Sequence, residues 1–209
     1  MLSAQPLLRA DDLHLWRADL HVLRGLSFSL EAGCCLQVTG INGAGKTSLL
    51  RALAGLLPLE SGAVSWRGND TSKDHHGYHS ELAWLGHVTA LKADLSAHEN
   101  LHYSAGLRRA TSRADIDAAL ARVGYAHADR RLARHMSTGQ QRRVALARVL
   151  LLDCALWLLD EPMANLDAQG QETFGQILVE HLEGGGLAVI ATHQALPVGT
   201  ARRQDLELS

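Results

Sequence analysis

No stretch of the 209 residues approaches the roughly 20 consecutive apolar side chains that a membrane-spanning helix needs. Any membrane contact of this chain is therefore expected to run through a protein partner. The start, MLSAQPLLRADDLHLW, places Asp11 and Asp12 where a signal peptide would need an apolar run, which argues against secretion. An excess of positive charge is missing as well. The 20 Lys and Arg stand against 22 Asp and Glu, a formal charge of -2, so nothing attracts nucleic acid or an anionic lipid surface. Cysteine is scarce and odd in number: Cys34 and Cys35 are neighbours that do not form a normal disulfide, and with Cys154 they lack metal-ligand spacing. The expected compartment is a reducing cytosol, with Cys34 and Cys35 as packing residues. Repeats, low-complexity tracts and interdomain linkers are also absent. The length suits one domain over residues 1–209, with a core large enough to carry a lobe.

Periodicity organises what is present. LHVLRGLSFSLEAG alternates apolar and polar residues and reads as strands joined by turns, followed by CCLQVTG as a short buried strand. From Lys46 the apolar residues Leu49, Leu50, Leu53, Ala54 and Leu57 recur at helical spacing until Pro58 stops them. SGAVSWRGND reads as a strand between turns, and TSKDHHGYHS as a polar surface loop. Between about Leu95 and Ala133 helical periodicity predicts a helical lobe. CALWLLDEP and GLAVIATH are then buried strands, ending in two acids and in a histidine.

GINGAGKT, between a strand and a helix, is a complete phosphate loop. Four residues separate Gly40 from Gly45, so that backbone N–H groups can curl around phosphates, which glycine dihedrals permit. Lys46 reaches the β and γ phosphates, Thr47 offers a hydroxyl to Mg²⁺, and the helix dipole faces the anion. The candidate nucleotide contacts are Gly40, Ile41, Asn42, Gly43, Ala44, Gly45, Lys46, Thr47 and Ser48. Asp160, at the carboxyl end of a buried strand, is a hard oxygen ligand for Mg²⁺ beside Thr47. Glu161 is placed to orient or deprotonate an attacking water. His193, just after the last apolar strand, can bond a γ phosphate or hold that water. Asp167 in ANLD is a helix cap.

A second helix start, HMSTGQQRRVALAR, repeats the theme. Ser137 and Gln140 form an S-x-x-Q capping box, and a capped helix N-terminus is also an anion site. Capping leaves Gly139 unexplained, since glycine in a first turn costs about 1 kcal/mol; close approach of a phosphate accounts for it.

In this order and over nearly the whole chain, GINGAGKT, MSTGQQRRVALAR, LWLLDEP, ANLD and ATHQ resemble the ATP-binding cassette ATPases of ABC transporters. The resemblance implies an α/β fold: a P-loop NTPase (RecA-like) core with an antiparallel β subdomain and a helical subdomain inserted at about residues 95–150. It implies ATP and Mg²⁺, catalysis by Glu161 and His193, and a head-to-tail homodimer. In that dimer Ser137, Thr138, Gly139 and Gln140 meet the ATP bound by the partner, and Asp167 communicates across the interface. It also implies integral-membrane transporter subunits as partners and a peripheral position on the cytoplasmic face of the inner membrane. Two positions depart from the family pattern. No glutamine falls within WLGHVTALKADLSAHENL, where the family places its sensor loop, and His87 is the nearest candidate; Trp16 is the nearest aromatic for stacking on adenine, although it lies upstream of the expected place.

A narrower resemblance, carried by the Trp before LGH, ENLHY, GQQRRVALARVLL, LWLLDEP and THQ, is to the ATPase subunits of haem export or cytochrome c maturation systems. It implies haem-handling partners and no nucleic acid. A soluble DNA-repair or ribosome-acting cassette would need long heptad arms or a second cassette, and neither is present. A small-molecule kinase would not need Ser137 and Gly139. His75, His76, His79, His87, His98 and His102 match no metal template and read as solvated surface histidines.

Overall fold

The computed structural model describes residues 7–125, 130–196, 198–199 and 202–209. The chain opens with two long antiparallel strands, β1 (Leu8–Arg17) and β2 (Leu20–Leu30), and continues through β3 (Cys35–Gly40) into helix α1 (Lys46–Leu53). Strands β4 (Ser61–Trp66) and β5 (Asn69–Asp70), helix α2 (His75–Ser80) and strand β6 (Leu82–Leu85) follow. Helices α3 (Ala97–Gly106), α4 (Arg113–Arg122) and α5 (Thr138–Leu152) come next, then β7 (Leu156–Asp160), α6 (Ala168–Glu183), β8 (Leu187–Ala191) and β9 (Arg203–Leu208). Residues 126–129 of the expected helical stretch lie outside the described residues.

Two sheets result. An antiparallel sheet runs in the order β2-β1-β4-β5, and a five-stranded sheet in the order β6-β7-β8-β3-β9. Every pairing in the second sheet is parallel. Its edge strand β9 is largely exposed and polar, while the central strands β7 and β8 are buried throughout, which explains their almost unbroken apolar composition. Alternation along them still sorts the core into two layers. Trp157, Leu159, Ala188 and Ile190 pack with α3 to α6, whereas Leu156, Leu158, Leu187 and Val189 pack with α1 and the antiparallel sheet. On α1, Leu49, Leu50 and Leu53 are fully buried in that second layer, each such burial being worth about 1.5–3 kcal/mol. The parallel register aligns Gly40 on β3, Asp160 on β7 and Ala191 on β8 toward one edge, so the loops leaving these strands converge there.

Two local expectations change. TSKDHHGYHS is not merely a polar loop: Asp74 caps α2 by accepting from the Gly77 N–H at 2.9 Å. Tyr78 is buried there, donating to the Leu53 carbonyl at 2.7 Å. His79 sits 2.9 Å from the Ala54 carbonyl. A buried tyrosine with a satisfied hydroxyl outweighs the polarity of its neighbours. The helix begun at Lys46 also ends earlier than Pro58, because Gly55 turns left-handed at φ 67°. Among the described residues no helix is long and apolar enough to cross a membrane.

Candidate active site

The phosphate loop is shaped by contacts inside the chain. Gly40 has φ 139°, and a Cβ there would lie 2.4 Å from the Leu208 carbonyl oxygen of β9. Gly45 caps α1 at φ 100°, and its Cβ would lie 2.4 Å from Val22 of β2. Both must therefore be glycine before any ligand is considered. No side chain caps α1, which leaves its first-turn N–H groups and dipole to an anion. Lys46 folds back over the loop, its Nζ donating to the Gly40 carbonyl at 2.6 Å and the Ile41 carbonyl at 3.0 Å.

Thr47 points at the end of β7. Its hydroxyl donates to Asp160 Oδ2 at 2.7 Å, and Asp160 is only 3% exposed. Two hard oxygens at this spacing suit neighbouring ligand positions on a small octahedral cation, whose bonds to oxygen are about 2.0–2.1 Å. Glu161 has a left-handed backbone, φ 48°, which a non-glycine residue adopts only when its surroundings enforce it. Its N–H donates to the Ala191 carbonyl at 2.8 Å. Its Oε2 accepts from the Thr192 hydroxyl at 3.1 Å, and its Oε1 lies 3.0 Å from His193 Nδ1. Thus Glu161 and His193 touch. A cleft of about 660 Å³ is lined by Asn42, Gly43, Gly45, Lys46, Thr47 and Ser48, with Asp160, Glu161, His193 and His87 facing them.

Ser137 and Gln140 form the expected capping box. Ser137 Oγ accepts from the Gln140 N–H at 3.2 Å, and Gln140 Oε1 accepts from the Ser137 N–H at 3.0 Å. Asp167 caps α6 by accepting from the Gly170 N–H at 2.9 Å, and it also accepts from Arg143 of α5. Ser137, Thr138, Gly139, Gln140 and Asp167 are not among the residues lining the cleft. Ser137 and Thr138 are exposed. Phosphate approach is not needed to account for Gly139: a Cβ there would lie 2.6 Å from the Asn165 carbonyl oxygen. The close approach of its own chain, in the ANLD turn, already demands glycine.

Trp16 is likewise absent from the cleft lining. It pairs across the hairpin with His21 and stacks on that ring, centroids 4.3 Å apart and planes 6° from parallel. The cleft instead takes Arg17, Leu20 and Val22. Because successive strand side chains alternate faces, Leu20 and Val22 face the cleft and His21 with Trp16 faces away. No sequence signal distinguished those three; only the pairing of the hairpin beside the loop does. Arg142 was also missed, although its spacing with Ala145, Leu146 and Val149 on one helix face marks a charge on a buried stripe. The surface reading of the histidines holds in part. His79 and His98 are half-buried, and His98 Nε2 lies 2.8 Å from Asp117. Among the described residues no group of three or more ligating side chains could hold a metal. The cysteines are free; Cys35 and Cys154 are buried in the core, and burial pushes the Cys35 thiol up to about 11.

A phosphate loop, an acidic strand end and a histidine on a parallel sheet, with a second capped turn set apart, define a nucleotide-hydrolysing cassette. The family model for ABC transporters matches residues 23–164, and the chain belongs to that family, as one of its ATPases. It is 47% identical to the cytochrome c biogenesis ATP-binding export protein CcmA 2 of Cupriavidus metallidurans, over 93% of this chain and 92% of that protein. The cytochrome c biogenesis ATP-binding export protein CcmA of Escherichia coli is 40% identical, over 97% of each chain. In fold it is similar to an ABC transporter ATP-binding protein of Pyrococcus furiosus, with a TM-score of 0.83 and 24% identity, over 95% of this chain and 96% of that one.

Proposed function

We propose that the chain is the ATP-hydrolysing subunit of an ABC export system serving c-type cytochrome biogenesis, powering haem export or the release of a loaded haem chaperone. It acts as a head-to-tail homodimer on integral-membrane subunits at the cytoplasmic face of the inner membrane, with haem-handling proteins as further partners. The observation that carries the ATPase reading is the convergence of Lys46, Thr47, Asp160, Glu161 and His193 on one cleft while the Ser137 turn stands outside it. The relatives' names support the pathway. Val88, Tyr103 and Leu107, exposed at 75%, 51% and 74%, support a docking face made by the helical segment and the His87 loop.

The residues have distinct tasks. The loop amides and Lys46 bind the phosphates, and Thr47 and Asp160 hold Mg²⁺, which when bound neutralises charge on them. Glu161 accepts a proton from the attacking water as its oxygen bonds to the γ phosphorus and the bond to ADP breaks. Thr192 and His193, each within hydrogen-bond distance of a different oxygen of Glu161, fix the direction in which that carboxylate faces. Ser137, Thr138, Gly139 and Gln140 present a helix N-terminus to the γ phosphate held by the partner.

The pathway is tested in a bacterium lacking its own cytochrome c biogenesis ATPase. Supplying this chain restores covalently haem-stained c-type cytochromes, and supplying Glu161→Gln does not. Restoration by both, or by neither although the chain is expressed and hydrolyses ATP, refutes the assignment.

A further inference from the structure

Arg142 lies on the inward face of α5, with 2% of its surface exposed. Among the described residues no carboxylate hydrogen-bonds it. Its acceptors are main-chain carbonyls from two separate segments: Gly86 at 3.0 Å from Nη1, and Glu161 at 2.9 Å and Asp160 at 3.5 Å from Nη2. Burial disfavours the charged guanidinium, and the charges of Asp160 and Glu161 oppose that effect. A fully enclosed charge kept for three carbonyls, where an apolar residue would pack, points to placement of those carbonyls.

What they belong to matters. Glu161 is held left-handed at φ 48°, with its N–H fixed on β8 by Ala191 and its carbonyl fixed on α5 by Arg142. Gly86 precedes His87, which lines the same cleft. The helix that carries Arg142 begins at the Ser137 turn. We infer that Arg142 is a positioning residue that ties Glu161 and the His87 loop to α5, the helix that opens at the Ser137 turn, and so holds the geometry of hydrolysis in this chain's own cleft. The inference rests on the proposed role of Glu161. Neither Ser137 nor Arg142 lines this chain's nucleotide cleft, yet one helix and the Nη2 of Arg142 connect them to the backbone of Glu161, while Nη1 holds Gly86.

Lysine at this position keeps the charge and loses the planar fork; glutamine keeps a donor and loses the charge. With the full chain, Arg142→Lys and Arg142→Gln are expected to lower kcat at least tenfold while leaving KM for ATP within threefold. Hydrogen exchange should rise at residues 86–88 and 160–164 and stay unchanged in the phosphate loop. A kcat within twofold of the unmodified chain in either folded variant, a proportionate loss of ATP affinity, or exchange rising equally in the phosphate loop overturns the inference. If neither variant folds, the side chain serves folding rather than positioning and the inference also fails. Glu161→Gln measured alongside separates the two levels: retained hydrolysis in that variant removes the assignment of the base, whatever Arg142 does.

Discussion

Two helices of this molecule open on glycine-containing turns, and the two turns are finished differently: no side chain caps α1, whereas Ser137 and Gln140 cap α5. At the first, three strand ends bring Lys46, Thr47, Asp160, Glu161 and His193 around one cleft, with Thr47 bonded to Asp160 and His193 beside Glu161. At the second, the capping box of Ser137 and Gln140 is complete, the turn is exposed, and none of its residues lines that cleft. A helix N-terminus becomes a reaction site only where other strands deliver an acid, a base and a cation to it. The Ser137 turn has a capped, exposed helix N-terminus and no acid, base or lysine of the cleft beside it, which is the observation behind the proposal of a site shared between two chains.

The sharpest break in the comparison comes at the first turn. Glu161→Gln removes the proton acceptor and keeps every phosphate contact, so hydrolysis should fall by roughly 10² to 10⁴, while ATP gathers the chain into a dimer visible by light scattering. Retained turnover would move the base elsewhere. At the second turn, Ser137→Arg places a bulky cation on the exposed cap. Turnover should fall by about 10² or more, with ATP binding to the isolated chain unaltered; loss of that binding would mean the turn acts within its own chain. Gly139→Ala is a smaller change, expected to cost about 1–3 kcal/mol of stability in thermal or urea unfolding, because the new methyl meets the Asn165 carbonyl at 2.6 Å. Unchanged stability with lost turnover would restore phosphate approach as the reason for glycine there. The smallest effect belongs to Trp16→Ala, which should change ATP affinity by less than about threefold, because its ring lies on His21 and outside the cleft. A larger loss would put the aromatic back into the nucleotide site.

How far these features were legible in the sequence follows from the range of the interactions that make them. The phosphate loop, the DEP strand end, the capping box and the Asp167 cap are local devices whose residues lie within a few positions of one another, and all of them stand where the spacing put them. The burial of Tyr78 within TSKDHHGYHS was not legible, because its hydroxyl is satisfied by Leu53, 25 residues away. Gly139 was misread for the same reason: the carbonyl that excludes its side chain belongs to Asn165 on another turn. Arg142 left a trace as a charge at helical spacing among buried positions, but its acceptors lie 56 and 19 residues away. Trp16 is the reverse case: it is the nearest aromatic in sequence, but the hairpin pairs it with His21 on the strand face opposite Leu20 and Val22.

Mixing two silent variants tests the divided site most directly. Lys46→Ala lacks a working phosphate loop and keeps the Ser137 turn; Ser137→Arg keeps the loop and lacks the turn. Each alone should hydrolyse ATP at no more than about a hundredth of the unmodified rate. Mixed in equal amounts, they should regain hydrolysis, because one pairing joins an intact loop to the partner's intact turn. A mixture as silent as its components, from chains shown to associate, would contradict the account.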